Sequence, residues 1–165
     1  MITFARIDDK LVHGQVATTW ARVSGANRIY IVDDSTAKDP FLTNLFKQLA
    51  PQGTKVEVWD VKTGCEKIKL LEQHDKIKGF VLCKGPYEFL ALAKAGGHFK
   101  EIIVGNMASR NDRVQLIPTA NTYASKEEIQ MFKELEELGN KVYLHMIPDK
   151  PKVPILDAPG VKQLL

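Results

Sequence analysis

The sequence predicts an α/β fold with three layers, in which helices cover both faces of an open, twisted and mostly parallel sheet that also has an antiparallel edge strand. The first observation is that short runs rich in β-branched residues alternate with segments of helical length. The second is that local capping signals mark helix boundaries. The strand-like runs are ITFARID (2–8), RIYIVD (28–33), TKVEVWD (54–60), KGFVLCK (78–84) and KEIIVGNM (100–107).

Two helices can be located from their first residues. Asp39 and Pro40 combine an N-capping carboxylate with a proline at the first helical position, where the missing N–H is not needed. Ser125 and Glu128 have the spacing of a capping box, and Gly139 is suited to end the same helix. Its apolar residues recur at helical spacing and predict one buried stripe: Met131, Phe132, Leu135 and Leu138.

The pattern changes after the fifth strand-like run. Residues 106–112 are polar, residues 113–118 alternate like a short strand, and residues 121–123 follow closely. We expect the antiparallel edge strand in this region. Residues 141–147 are typical of a final strand, and the proline-rich residues 148–154 are expected to form an extended connector.

Composition favours one domain that spans residues 1–165. With 44% hydrophobic residues, the chain can bury a core without disulfides or metals. Cys65 and Cys83 lack CxxC spacing, so we expect reduced core thiols in a cytoplasmic protein. There is no basic leader, and no apolar run approaches the roughly 20 residues that span a bilayer. We therefore expect no direct membrane insertion.

The charge balance argues against nucleic-acid binding. The chain has 23 basic and 20 acidic residues, and its clustered lysines between residues 62 and 78 are interleaved with acids. A phosphate backbone usually selects a concentrated basic face. We therefore predict a solvated surface here and no nucleic-acid partner.

The stretch RIDDKLVHGQVATTW (6–20) contains the best candidates for chemistry. If the first strand ends near Asp8, residues 9–13 form a loop at the carboxyl end of a parallel strand, where ligands collect in open α/β sheets. A helix that starts at Gly14 or Gln15 would direct its free N–H groups and positive dipole end towards the space beside His13. The pattern therefore predicts an anion site next to a nucleophile.

This arrangement suits phosphoryl transfer through His13. The helix N-terminus disfavours imidazolium and so favours the neutral, nucleophilic ring. The helix amides, together with Arg6 and Lys10, would then meet the oxygens of a bound phosphoryl group. Gly14 lacks a Cβ and would let the backbone approach the phosphate closely.

Two other interpretations of the stretch remain open at this point. His13 could cap the helix or lie at the surface without a chemical role. Asp8, Asp9 and His13 could instead bind a metal and support hydrolysis, although no second histidine lies at a nearby ligand spacing. The remaining histidines stand alone and are expected to be structural: His74, His98 and His145.

The wider sequence resembles the mannose/fructose/sorbose-family IIB components of the bacterial sugar phosphotransferase system (PTS). ARIDDKLVHGQVATTW (5–20) resembles their N-terminal signature R-I-D-D-R-[LI]-[IV]-H-G-Q. IIVGNM (102–107) resembles their V-N-V-G-G-M, APQG (50–53) their A-P-x-G turn, and residues 125–139 their late amphipathic helix. The resemblance covers nearly the whole chain, and IIVGNM and residues 81–97 are more similar to the N-acetylgalactosamine-type branch.

The resemblance implies roles for individual residues. His13 falls on the histidine that the family phosphorylates on Nδ1, and Arg6 and Lys10 fall on its active-site arginines. A lysine at the second position keeps the charge but lacks the planar fork that grips two phosphate oxygens. We expect four further residues around the phosphate, the last of which replaces a family glycine: Gly14, Gln15, Asp8 and Asn106.

The resemblance also implies a reaction and its partners. A phosphorylated IIA domain would donate to His13, and the chain would pass the group to a sugar held by the membrane components IIC and IID. The chain would need no metal or cofactor and would associate peripherally with the permease from the cytoplasm. Lys84 and Arg110 are further candidates for partner or phosphate contacts, with solvated loop charges as the alternative.

A competing interpretation comes from another functional class. A module that binds anions or phosphosugars without catalysis could use the same helix N-terminus and would not need a nucleophile. The full R-I-D-D-x-L-V-H-G-Q spacing favours the phosphohistidine carrier. The sequence indicates neither the sugar nor the oligomeric state.

Overall fold

All five strands predicted before residue 108 are present in the computed structural model, which describes residues 1–165. The chain forms nine strands in total. They are β1 (Ile2–Ile7), β2 (Arg28–Val32), β3 (Lys55–Trp59), β4 (Gly79–Cys83), β5 (Glu101–Val104), β6 (Val114–Gln115), β7 (Tyr123–Ala124), β8 (Lys141–Leu144) and β9 (Val153–Pro154).

Seven of these strands form one sheet in the order β3-β2-β4-β1-β5-β8-β9. All neighbours are parallel except β8 and β9, which are antiparallel. At the carboxyl end of the central strand β1, Ile7 lies opposite Cys83 of β4 on one side and Val104 of β5 on the other. The expected mostly parallel sheet with an antiparallel edge strand is therefore confirmed.

The predicted position of the edge strand is wrong. β6 and β7 pair with each other as a separate two-stranded antiparallel ribbon, where Gln115 lies opposite Tyr123. The edge strand is instead β9, which lies in the proline-rich segment expected to be a connector. Proline is tolerated there because an edge strand needs hydrogen bonds on one side only. β8 is also shorter than predicted and ends at Leu144.

Six α-helices accompany the strands. They are α1 (Gly14–Ser24), α2 (Asp34–Ala37), α3 (Pro40–Gln48), α4 (Val61–Leu71), α5 (Pro86–Lys94) and α6 (Lys126–Glu137). Two 3-10 segments, Ile155–Asp157 and Pro159–Gln163, complete the chain. None of the helices combines the length and the apolar character needed to cross a bilayer.

The helices divide between the two faces of the sheet. α1 and α3 pack on one face, where Trp20 and Phe46 join a cluster of 12 buried residues. α4, α5 and α6 pack on the other face, where a cluster of 27 buried residues includes Ile68, Phe89 and Phe132. The expected three layers follow from this division, because each amphipathic helix buries one stripe against the sheet.

The predicted capping residues act as expected. The carboxylate of Asp39 accepts hydrogen bonds from the first amides of α3, and Pro40 occupies its first position. Ser125 and Glu128 form a complete capping box at the start of α6. Gly139 follows that helix with φ of 93°, a conformation that favours glycine.

Both cysteines are free thiols, as expected. Cys83 is buried in β4 and Cys65 is half-buried in α4. Burial raises the pKa of both thiols, with nearby carboxylates adding to the effect. Raised thiol pKa values favour the unreactive protonated form.

The topology places a crevice at the carboxyl ends of β1 and β4. These strands are neighbours, but the helix that follows β1 packs on one face of the sheet and the helix that follows β4 packs on the other. Ligands of open α/β sheets bind at such a switch point, because the two departing loops leave a gap between them. The loop of residues 8–13 therefore starts at the edge of this crevice.

Candidate functional site

His13 occupies the junction that the sequence predicts. β1 ends at Ile7, α1 begins at Gly14, and His13 is the N-capping residue with extended backbone angles, φ −147° and ψ 133°. Its side chain makes no hydrogen bond to the first amides of the helix. The imidazole therefore does not cap the helix, and its ring nitrogens are available for other contacts.

The closest charged partner of His13 is Asp8. Nε2 of His13 lies 3.3 Å from Oδ2 of Asp8, with the carboxylate 1% exposed and the imidazole 29% exposed. A carboxylate oxygen can only accept, so the hydrogen of this contact belongs to Nε2. In the neutral ring, Nδ1 then keeps a free lone pair, which makes it the nucleophilic nitrogen.

The Asp8 carboxylate is held from several directions. The backbone N–H of Lys10 donates to Oδ1 at 3.1 Å. The side-chain amide of Asn106 donates to Oδ2 at 3.1 Å and lies 3.4 Å from Oδ1. Nη2 of Arg6 lies 3.5 Å from Oδ2. These contacts place the Asp8 carboxylate and the Asn106 amide together beside the imidazole.

Arg6 is buried beneath the site. Its guanidinium donates to the backbone carbonyls of His145 at 2.8 Å and Met146 at 3.1 Å, and it lies over the ring of Trp20. Burial lowers the pKa of Arg6 to about 10, although the Asp8 carboxylate opposes that shift. Arg6 is thus charged at neutral pH but only 2% exposed, and it reaches the site through its contact with Asp8.

The loop between Asp8 and His13 has a fixed shape. Leu11 has a positive φ of 57°, which is unusual for a residue with a branched side chain. Leu11 and Val12 are both 2% exposed and pack into the apolar cluster beneath α1. The N–H of Leu11 also donates to the carbonyl of Asp8 at 2.9 Å. Apolar burial therefore holds a strained backbone in place.

The loop after β5 is joined to the same segment. The N–H of Asp9 donates to the carbonyl of Asn106 at 3.0 Å, and the carboxylate of Asp9 accepts from the N–H of Ala108 at 2.7 Å. Asp9 therefore points away from His13. The metal-site alternative loses one of its three ligands, and no three histidine, cysteine or acidic side chains are arranged to bind a metal.

The solvent side of the site is formed by Lys10, Gly14 and Gln15, which are all exposed. Gly14 has φ of 48° and open space where a Cβ would lie. The first turn of α1 contains no acidic residue to neutralise the positive end of the helix. An anion can therefore approach the first amides of α1 directly. Lys10 is close to them in sequence, and its exposed side chain forms no ion pair.

Sequence reasoning missed the contribution of the segment after β8. A cleft of about 500 Å³ runs beside the site, between the α1 residues Gln15 and Trp20 and the loop residues Ile147 and Pro148. Trp20 donates to the carbonyl of Met146 at 3.4 Å. A backbone carbonyl carries no sequence signal, so these contacts could not be found from residue types.

Lys84 and Arg110 lie together but not at His13. Lys84 pairs with Asp33 at 3.2 Å, and Arg110 pairs with Asp112 at 3.3 Å. Both cations line a polar cleft of about 450 Å³ whose lining includes neither His13 nor Asp8. The structure therefore brings these two candidates together while pairing each of them with an acid.

Comparisons with known proteins show the family of this chain. Residues 2–163 match the family model of the PTS system sorbose subfamily IIB component. The sorbose-specific EIIB component of Klebsiella pneumoniae is 36% identical over 94% of this chain and 93% of its own length. The N-acetylgalactosamine-specific phosphotransferase enzyme IIB component 2 of Escherichia coli (strain K12) is 32% identical over 92% and 94%.

A solved structure extends the likeness to the fold. The crystal structure of the IIBSor domain of the sorbose permease from Klebsiella pneumoniae has a TM-score of 0.90 to this chain at 33% identity. The match covers 100% of this chain and 98% of the other. Together with the family model, these relatives show that the chain belongs to the sorbose subfamily of PTS IIB components, which act as phosphotransferases in sugar uptake.

Proposed function

We propose that this protein is a phosphohistidine carrier that accepts a phosphoryl group on His13 from a phosphorylated IIA domain and transfers it to a sugar. The observation that supports this most directly is the contact between Nε2 of His13 and the buried carboxylate of Asp8. It leaves Nδ1 as the nucleophile on a ring that is 29% exposed.

In the first step, Nδ1 attacks the phosphorus of the donor phosphohistidine. The Nδ1–P bond forms as the P–N bond of the donor breaks, and the donor imidazole leaves with the electron pair of that bond. The ring of His13 keeps its Nε2 hydrogen and becomes positively charged as its lone pair is shared with phosphorus. The Asp8 carboxylate lies where it can stabilise that charge.

The phosphoryl oxygens need positive groups on the solvent side of the ring. The first amides of α1, from Gly14 and Gln15 onwards, and the exposed Lys10 can supply them. Lys10 acts here as a point charge, because an ammonium group cannot bind two oxygens in the planar manner of a guanidinium. Arg6 contributes by holding Asp8 in place.

In the second step, a sugar hydroxyl attacks the phosphorus, the Nδ1–P bond breaks, and its electron pair returns to the ring of His13. The hydroxyl proton leaves to a base on the sugar-binding partner. The proposed acceptor is a sugar held by the IIC and IID components, so the protein would work at the cytoplasmic surface of the membrane without inserting into it. The reaction class is that of a protein-N(pi)-phosphohistidine–sugar phosphotransferase, and it uses no metal or cofactor.

Phosphorylation of the purified chain tests this proposal. Incubation with a phosphorylated IIA domain should add one acid-labile phosphate, located on His13 by mass spectrometry. His13→Ala should abolish the modification, whereas the control His74→Ala, at an exposed histidine, should leave it unchanged. A wild-type chain that stays unmodified but binds inorganic phosphate would overturn the carrier and favour the non-catalytic anion-binding module.

The sugar remains a separate proposal. The relatives include one named for sorbose and one named for N-acetylgalactosamine. The IIVGNM and 81–97 segments lead us to propose the N-acetylgalactosamine-type branch. Uptake assays with the complete system, sugar by sugar, test this directly, and transport of sorbose without N-acetylgalactosamine would contradict it.

A further inference from the structure

We propose that Asn106 is a positioning residue that fixes the orientation and tautomer of His13 through Asp8. The inference rests on the proposed function, because it concerns how the same histidine is prepared for attack. Asn106 follows β5, whereas Asp8 follows β1, so the two residues are 98 positions apart and meet because their strands are neighbours.

The Asn106 side chain is placed to determine where the carboxylate of Asp8 lies. Its Nδ2 donates to Oδ2 at 3.1 Å and lies 3.4 Å from Oδ1, so it faces both carboxylate oxygens. Asn106 is 8% exposed and Asp8 is 1% exposed, which removes competing water. The backbone of Asn106 is also anchored, because its carbonyl accepts from the N–H of Asp9 at 3.0 Å.

The other donors to Asp8 make a different contact or a longer one. The N–H of Lys10 reaches only Oδ1, the oxygen that does not face the imidazole. Nη2 of Arg6 is 3.5 Å from Oδ2, and the same nitrogen already donates to the carbonyl of Met146 at 3.1 Å. The Asn106 amide is therefore the nearest side-chain donor that shares Oδ2 with His13.

The neutral charge of the amide matters for the chemistry. Asp8 must keep its negative charge if it is to accept the Nε2 hydrogen and stabilise the ring as it becomes positive. An amide orients the carboxylate without neutralising it, whereas a second closely bound cation would weaken its effect on the ring. Asn106 therefore favours one tautomer of His13 while leaving the charge of Asp8 available to it.

The test compares Asn106→Ala with the control Ser109→Ala, which removes an exposed polar side chain from the same loop. Single-turnover transfer from a phosphorylated IIA domain should slow about tenfold in Asn106→Ala, the size expected for one lost hydrogen bond to a charged group. The donor concentration that gives half-maximal rate should not change. Nitrogen-15 NMR of the His13 ring should show the Nε2–H tautomer in wild type and a mixture in the variant.

A second variant keeps the inference testable if Asn106→Ala folds poorly. Asn106→Asp places a carboxyl group beside Asp8, with Arg6 and His13 on the other sides of that carboxylate and Asp9 next to it in sequence. The introduced carboxyl can donate to Asp8 only while it is protonated. Transfer in this variant, expressed relative to wild type at each pH, should therefore recover as the pH falls from 8 to 5.5.

Two results would overturn the positioning role. One is an unchanged rate and an unchanged tautomer in Asn106→Ala, and the other is a pH-independent ratio in Asn106→Asp. If wild type itself takes up no phosphate, the proposed function fails. If wild type is phosphorylated on His13 and the variants match it, only the role of Asn106 fails.

Discussion

Nε2 of His13 and Oδ2 of Asp8 are 3.3 Å apart, and the two residues lie five positions apart along the chain, on either side of the strained Leu11. Both residues belong to one local segment, in which the buried side chains of Leu11 and Val12 anchor the loop. The Asp8 carboxylate also has a long-range donor, because Asn106 after β5 contacts it alongside Arg6 of β1.

Asp8→Asn should reduce phosphoryl transfer at least about 100-fold, since an amide in this position can present its N–H to the imidazole and stabilise the wrong tautomer. Asp9→Asn is the matched control. Its side-chain oxygen can still accept from the N–H of Ala108, so the transfer rate should remain close to wild type. Rapid-quench measurement of phosphoryl uptake checks both variants, and equal losses in the two would show that loop integrity, not tautomer selection, controls the rate.

Gly105→Ala should destabilise the protein and slow transfer. The added Cβ would overlap Nη2 of Arg6 and come within 2.6 Å of its Cζ, so the guanidinium would have to leave the carbonyls of His145 and Met146. Displacing one partner of a buried charged network costs about 3 kcal/mol. Urea denaturation measures the change in the free energy of unfolding.

Gly85→Ala provides the comparison for that experiment. Its backbone is extended, and a Cβ there would meet only an oxygen of Glu88 at 3.9 Å. The free energy of unfolding should change by less than about 0.5 kcal/mol. Similar losses in both variants would contradict the view that Arg6 is confined by the close approach of Gly105.

Lys10→Ala should lower the transfer rate about tenfold without changing thermal stability. The side chain is exposed and has no ion pair, so its removal disturbs no packing. Lys10→Arg should keep or raise the rate, because a guanidinium can bind two phosphate oxygens. Lys47→Ala, which removes another exposed lysine, is the control. A wild-type rate in Lys10→Ala would remove Lys10 from the phosphate site.

Glu88 should make the stability of the fold pH-dependent. Burial, assisted by Asp33 and Asp34, raises its pKa to about 7, against the opposing effects of a backbone hydrogen bond and Lys84. Oε2 of Glu88 has no hydrogen-bond partner. Because the folded state holds this proton more tightly than the unfolded chain, the stability contributed by Glu88 should fall as the pH rises from about 4.5 to about 7.

Glu88→Gln should remove that dependence. At pH 8 the variant should exceed wild type by about 2 kcal/mol in the free energy of unfolding, and at pH 4.5 the two should be similar. Glu127→Gln, at an exposed acid on α6, should show no such difference. Urea denaturation at both pH values measures this, and parallel pH profiles for wild type and Glu88→Gln would contradict the prediction.

The sequence predicts those parts of the structure that depend on neighbouring residues. The caps at Asp39 and Ser125 and the start of α1 after His13 are encoded within a few positions, because they depend on side chains that reach adjacent amides. β9 could not be located in this way. β9 pairs with the backbone groups of β8 that no other strand uses, and these cannot be located from nearby residues. The prolines of this segment are also more typical of a connector.

The residues of the candidate site also differ in whether their contacts are local or long-range. His13 is placed by its own loop, and the resemblance identified it. The partners of Arg6 are carbonyls 139 and 140 positions away, and a carbonyl carries no residue-specific signal. The contact between Asn106 and Asp8 is partly predictable from the sequence. Adjacent parallel strands bring the carboxyl ends of β1 and β5 together, but only the structure shows that the Asn106 amide faces the Asp8 carboxylate.

The conformation of Leu11 bears on how the proposed carrier would meet its donor and its acceptor. Leu11 already has its strained backbone conformation in the folded protein, and its side chain is buried. The loop therefore does not have to change shape when a partner binds. Most of the conformational change needed for each docking would then occur in the binding partner, and little in this protein. In the proposed function, the phosphoryl donor and the sugar acceptor would therefore meet the same rigid loop around His13.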